Sequence, residues 1–458
     1  MTDGNGTRAT APGHEQGVRT PAFRRLWWSW TVSLLGDGVR TLALPLYVAV
    51  TTRSPLAASA VTAAEVLPWL LCALPAGALV DRSNPRTVVT IAHTVRAVLT
   101  GVLVVCIVTG NATVPVLCAF AFTLTVAETF AYSASQALMV ALAGPDQLNE
   151  ANAKFYTVHT IGLNLVGPLT AGGLFVIGPA WAFALDGLTF VVAAVLVARL
   201  PSISRARSES APRRRLGPEI REGISLLFRI PGLRVLVLMV ATITLSLSAV
   251  NALTSLYALQ TLRMTESLVA TLLVAGALGT LLGTRLATVL ARRWPEGPVM
   301  TGALVAMVAG LATFGAVPEV WVALGANALL GVGVGVFNVL AAARRQRLTP
   351  TTAMGRISGA YRMVAWGLAP VGAALAGPVA VVTSLGAVFV IVGGVILVMT
   401  AFVLRPLVAT RPAVPAQRDG LSRDIPAGPT EDVRTPGNPV TPAPDPTPSS
   451  SNRPPATT

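Results

Sequence analysis

The sequence predicts an all-α membrane protein, twelve transmembrane helices arranged as two pseudo-symmetric six-helix halves, and three observations predict it. The 458 residues are 53% hydrophobic and only 12% charged, with a mean hydropathy of +0.66, whereas soluble domains carry about 25% charged residues. Twelve mostly apolar runs are each long enough to cross a hydrocarbon core of about 30 Å. The basic residues lie between those runs, and almost all of them on alternate loops.

The runs cover 23–50, 56–80, 87–109, 113–141, 153–177, 180–200, 233–258, 267–291, 298–317, 320–342, 355–377 and 381–404. Backbone polar groups in lipid must be satisfied within the segment, so each run is read as a helix. Of the 34 Lys and Arg, Arg53 and Arg263 fall on one set of loops, and Arg40, Arg96, Arg285 and Arg362 fall inside spans. The other 28 lie on the opposite loops, on the span ends that adjoin those loops, and on the tails. The positive-inside rule then makes both termini cytoplasmic, and a multi-pass protein of the plasma (cell inner) membrane is expected. Topology thus accounts for the net charge of +14, which in a soluble protein would suggest nucleic acid. Membrane lipid is the expected partner and nucleic acid is not. Cys72, Cys106 and Cys118 have no paired spacing, so neither a disulfide framework nor a metal site is expected.

The longest internal hydrophilic stretch, Pro201 to Pro231, splits the spans six and six. The expected organisation is a disordered cytoplasmic tail at 1–20, a first half at 21–201, a linker with an interfacial helix at 202–231, a second half at 232–405, and a disordered Pro-rich cytoplasmic tail at 406–458. The halves echo each other weakly. Lys154 and Pro168 in the fifth span recur as Arg356 and Pro370 in the eleventh, at an offset of 202. Paired halves of this sort are common in secondary transporters.

Charges inside the spans are the candidate functional residues, since an ionisable group at bilayer depth costs roughly 3 kcal/mol or more and usually faces a protein interior or a wet cavity. Asp37 lies about 16 Å past Leu26 at 1.5 Å per residue, close to the midplane, and Arg40 shares its helical face. Glu65 and Arg96 come out similarly deep, Glu128 lies in the fourth span, and Asp186 is placed close to the outer end of the sixth. A proton carrier or cavity counter-charge at Asp37 stands beside a purely structural Asp37–Arg40 pair. His93 and His159 are isolated and read as packing. Gly331-Val-Gly333-Val-Gly335 lies within an apolar span and is no nucleotide loop; with no G-x-x-x-x-G-K-[ST] either, the chain does not power itself with ATP. No catalytic set is recognised and no enzyme is expected.

The loop after the second span reads Gly77-Ala-Leu-Val-Asp81-Arg82-Ser-Asn84-Pro85-Arg86 and resembles the G-x-x-x-D-R-x-G-R-R signature of the major facilitator superfamily. Gly77, Asp81, Arg82 and Arg86 match; Asn84 replaces a Gly whose left-handed bend Asn tolerates better than most residues. Phe23-Arg24-Arg25-Leu26-Trp27, Pro145 to Asn152, Glu219 to Gly223 and Gly355-Arg356 are similar to the branch with macrolide-efflux and enterobactin-exporter-like carriers. Gly167-Pro168-Leu-Thr-Ala171-Gly172-Gly173 is similar to the helix motif that the family associates with antiport, with tight packing as its plain alternative. The resemblance runs from about Pro21 to Arg405.

That resemblance implies a close approach of the loop to the start of span eleven, permitted by Gly77, with Asp81 facing a helix N-terminus. It implies a cavity lined by spans one, four, seven and ten and flanked by eleven, which makes Asn251, Asn338 and Trp366 substrate-cavity candidates, each equally open to packing. It further implies proton-driven export of a small organic compound by a monomer, with no cofactor beyond the proton gradient. Asp37, Arg40, Glu128, Glu65 and Arg96 are the proton-coupling candidates. The fourth span lacks the Arg often found in proton-coupled drug antiporters, which leaves Arg40 or Arg96 to supply the positive charge. Importers or uniporters of the same fold, and a non-transporting sensor or scaffold, are the alternatives.

Overall fold

A computed structural model of the chain describes residues 17–201, 216–350 and 354–409. The expectations for 1–16, 202–215 and 410–458 fall outside the described residues. Among those described, every regular element is helical: α1 (Pro21–Thr52), α2 (Pro55–Arg82), α3 (Pro85–Val108), α4 (Val114–Ala143), α5 (Leu148–Ile161), α6 (Gly167–Ile177), α7 (Pro179–Ala198), α8 (Leu216–Arg229), α9 (Pro231–Gln260), α10 (Glu266–Arg293), α11 (Glu296–Ala316), α12 (Val320–Leu348), α13 (Met354–Gly367), α14 (Ala369–Val382) and α15 (Leu385–Ala409). They make twelve membrane spans by length and composition. α15 runs four residues past the boundary expected at 405.

Start signals in the sequence set the helix ends. Thr20, Ser54 and Asn84 accept hydrogen bonds from Phe23, Ala57 and Arg86 backbone N–H groups at 3.2, 3.4 and 3.0 Å, and Pro follows each of these caps. A capping oxygen and a proline lacking an N–H both suit the orphan donors of a first turn. Asn84 is therefore extended, with φ −75° and ψ 115°, and not the left-handed bend expected of it. Its amide starts α3 where the signature has glycine.

Spans five and eleven are broken at matching places. α5 passes into α6 through a π turn at Gly162–Val166, where the Gly167 N–H reaches back to the Gly162 carbonyl, and α13 stops at Gly367 before α14. Pro168 and Pro370 stand just after these breaks; each lacks an N–H and crowds the carbonyl four residues back. The 202-residue echo is thus a structural repeat, and span eleven is two helices, not the single run 355–377.

Packing repeats the same symmetry. In the first half α1 packs on α6 and α7, α2 on α4, and α3 on α4 and α7; in the second, α9 packs on α14 and α15, α10 on α12, and α11 on α12 and α15. Gly331 and Gly335 seat α12 on the backbone of α10 at Gly276 and Thr280, a small-residue helix contact. Tyr257, Phe314 and Phe389 form an aromatic cluster with centroids 4.9–5.1 Å apart, and the Tyr257 hydroxyl donates to the Phe314 carbonyl at 2.8 Å. Tyr257→Phe orphans that buried carbonyl and is expected to destabilise by about 1 kcal/mol, read as a lower melting temperature in detergent.

The halves meet on the face opposite the termini. There the Gln260 amide donates to the Arg53 carbonyl at 2.9 Å, a Cβ on Gly377 would lie 2.7 Å from the Pro55 carbonyl, and a Cβ on Gly172 would lie 2.8 Å from the Ser267 carbonyl. Arg53 and Arg263, which follow the first span of each half, are the non-glycine residues with positive φ among those described. On the face carrying the termini, Gly77 has nothing among the described residues within 4 Å of a built Cβ, and Tyr156 and Trp366 are 72% and 64% exposed. The described close contacts between the halves lie on the face opposite the termini.

Candidate functional site: a buried ionic network in the first half

Asp37 and Arg40 sit mid-way along α1, a helix buried over most of its length. Arg40 is 4% exposed, and its guanidinium binds three carboxylates. Nη1 donates to Glu65 Oε1 at 2.7 Å, and Nη2 donates to Glu128 Oε2 at 2.6 Å and to Asp37 Oδ1 at 3.3 Å. Arg96 of α3 donates to Asp37 Oδ1 from Nη2, and that nitrogen stands 3.5 Å from Glu128 Oε2. Its Cζ lies 3.9 Å above the Phe190 ring of α7, a cation–π contact. All five proton-coupling candidates therefore meet in one place, contributed by four helices.

Two features define the chemistry. The planar fork of arginine engages several carboxylates at once, as a point-charge lysine cannot. Burial is also graded: the Arg40 and Arg96 side chains are 4% and 2% exposed, but those of Glu65 and Glu128 are 21% and 24% exposed. The cations and Asp37 are sealed, and the two glutamates are the partly accessible members of the network. Glu128 supplies a fourth-span charge of opposite sign to the arginine often found there, and Arg40 supplies the cation from span one.

Asp186 corrects its expected placement near the outer end of the sixth span. A Cβ built on Gly36 would lie 2.6 Å from Asp186 Oδ1 and would fall on the Thr189 hydroxyl, so the carboxyl packs against α1 one residue from Asp37. Counting depth along a span by itself misses this, because it does not register how α7 slides against α1. The apolar setting of a lone acid was the one signal available for it.

The glycines flanking Asp37 set the depth of the fit. A Cβ on Gly38 would overlap the Gly162 carbonyl oxygen, and one on Gly167 would overlap the Gly38 backbone; α1 thus lies directly against the π turn. Of the antiport-type motif, Gly167 and Pro168 are buried against α1, Gly172 meets α10, and Gly173 is exposed with nothing within 4 Å of a built Cβ.

The loop motif and the cavity candidates lie apart from the network. The close approach implied between Gly77 and the start of span eleven falls on 351–356, whose side chains are outside the described residues; among the described residues nothing lies within 4 Å of a Cβ built on Gly77. The Arg86 guanidinium donates to the Ala198 carbonyl at the end of α7, Arg82 is exposed, and the Asp81 side chain is outside the described residues. Asn251, Asn338 and Trp366 are all exposed, and none makes a side-chain hydrogen bond among the described residues. Asn251 is on α9, the most enclosed helix of the second half.

Comparison with known proteins agrees with this architecture. Residues 26–371 match the Major Facilitator Superfamily. The chain is 28% identical over 387 residues to the uncharacterized MFS-type transporter y4rN of Sinorhizobium fredii, covering 82% of this chain and 92% of that one. Among solved structures, the nucleoside transporter NupG aligns with a TM-score of 0.67 at 16% identity over 86% of this chain and 100% of its own. A bacterial homolog of the human lysosomal transporter Spinster, inward-facing and unoccupied, aligns at 0.65 and 16% identity, over 85% and 98%.

Proposed function

The chain belongs to the major facilitator superfamily, and from that premise we propose that this membrane transporter exports a small organic compound by proton antiport. The observation that carries the reading is the network itself: two buried guanidiniums balanced by acids, two of which are partly exposed. Ionisable groups are retained at such depth where charge moves or is sensed. Protonation of Glu65 or Glu128, the less buried acids, removes a partner from Arg40 and weakens the tie between α1 and α2 or α4. Deprotonation restores the tie and favours the state with that tie closed. With no ATP motif in the chain, a proton gradient is the energy source that fits these groups. The excess of Lys and Arg on alternate loops supports cytoplasmic termini in a cell-membrane protein, and on this reading the compound is loaded from inside.

The test has two arms. Expression in an efflux-deficient host with a panel of toxic compounds identifies what the chain protects against; everted vesicles then report flux of that compound under an imposed pH gradient. Glu128→Gln is expected to abolish gradient-driven accumulation, a fall of at least about tenfold (about 1.4 kcal/mol in coupling), and Asp37→Asn is expected to do the same because Arg40 and Arg96 lose their shared anchor. Full gradient-driven flux in both variants would remove the network from the coupling step. Movement in the opposite direction would make the chain an importer of the same fold.

A further inference from the structure

The network contains four acids and two cations, and three of the acids are already bridged. The fourth is Asp186, which is 0% exposed and has no hydrogen-bond partner at either carboxyl oxygen. The hydroxyl of Thr189, one turn on, donates to the Asp186 main-chain carbonyl at 2.7 Å, so it is not available to the side chain. α7 packs on α1, α3 and α6. From α1 come Asp37 and Arg40, with Tyr47 farther along against Phe183; from α3 come His93, which stacks on Phe190, and Arg96; α6 brings no titratable residue. Glu128 of α4 is also within electrostatic reach.

A carboxylate sealed from water with no donor is strongly disfavoured in its ionised form. The neutral acid is not, and Gly36 leaves room for it beside α1. Asp37, Glu65 and Glu128 already outnumber the two guanidiniums, so a fourth negative charge has no cation left to meet. We propose that Asp186 is a further proton-binding residue of the network, beside Glu65 and Glu128, holding a proton in the conformation described here. This rests on reading the network as the coupling centre. When α1 moves relative to α7, the O–H bond breaks, the proton passes to water, and the carboxylate left behind takes the place on Arg40 or Arg96 that one of the three bridged acids gives up. Gly36 is what allows that exchange, since any side chain there would stand between the two helices.

Infrared spectroscopy of the purified full-length protein tests this without a transported compound. At neutral pH the carbonyl stretch of a protonated carboxyl is expected, lost in Asp186→Asn and kept in Asp37→Asn. Asn is close in shape to the neutral acid, so that variant is expected to fold; Asp186→Glu, which keeps the proton and displaces the band, is the second variant. Transfer to heavy water is expected to shift the band as conformational cycling exchanges the proton. An unchanged band in Asp186→Asn, or its loss in Asp37→Asn instead, overturns the assignment, and so does a band that never shifts in heavy water. These outcomes bear on Asp186 alone, because the toxicity panel and vesicle flux decide transport separately.

Discussion

Arg40→Ala is expected to unfold or nearly unfold the first half. The substitution removes the cation that binds Glu65, Glu128 and Asp37 together, leaving Glu65 with no ion pair among the described residues and Asp37 and Glu128 with Arg96 alone. Breaking one buried pair typically costs about 3–5 kcal/mol, because the partner stays buried and unpaired; here that happens at a junction of α1, α2 and α4. The expected results are a collapse in yield and melting temperature in detergent, and no flux in vesicles. Arg40→Lys is expected to fold but not transport, since an ammonium on a flexible stem holds the charge without bridging two glutamates in a fixed plane. Arg347→Ala is the control. Arg347 pairs with Glu296 but is 54% exposed, and exposed pairs contribute no more than about 1 kcal/mol. Arg40→Ala melting alongside Arg347→Ala would mean that the network carries little of the stability assigned to it.

The members of this network were legible in the sequence, but their pairing was not. An acid or base inside an apolar run is conspicuous, and 1.5 Å per residue puts Asp37, Glu65 and Arg96 at similar depths. Helical spacing gives Asp37 and Arg40 a common face, but no rule along the chain says that Arg96 takes Asp37 while Arg40 takes the two glutamates. That depends on how α1, α2, α3 and α4 converge. Asp186 shows the same gap more sharply: its residue type was visible and its neighbour was not, because depth was counted within one span and the contact is with another. The prolines at 168 and 370 gave the repeat away, yet the π turn before one and the full break before the other are set by what each span leans on.

Gly167→Ala and Gly173→Ala give the sharpest contrast the fold offers, since both change a glycine of one motif by one methyl group. A methyl on Gly167 meets the backbone of Gly38 and comes within 2.7 Å of the Gly162 carbonyl. These are main-chain atoms of two packed helices, so no side chain can turn aside to make room. Overpacking of that kind typically costs about 1–3 kcal/mol, and the strain has a specific target: pushing α1 off the π turn moves Gly38, and with it the adjoining Asp37, away from Arg96. The expected outcome is a lower melting temperature together with at least a tenfold loss of flux, about 1.4 kcal/mol in the transport barrier. Gly38→Ala should do the same, and the double variant should cost less than the sum, because both methyl groups force apart one contact. Gly173→Ala meets nothing within 4 Å and is expected to melt and transport as the unsubstituted chain does. Equal effects at 167 and 173 would mean that the motif acts through smoothness along the whole of span five; a loss confined to Gly167 and Gly38 places its action at the single point where α1 is held against the π turn beside the ionic network.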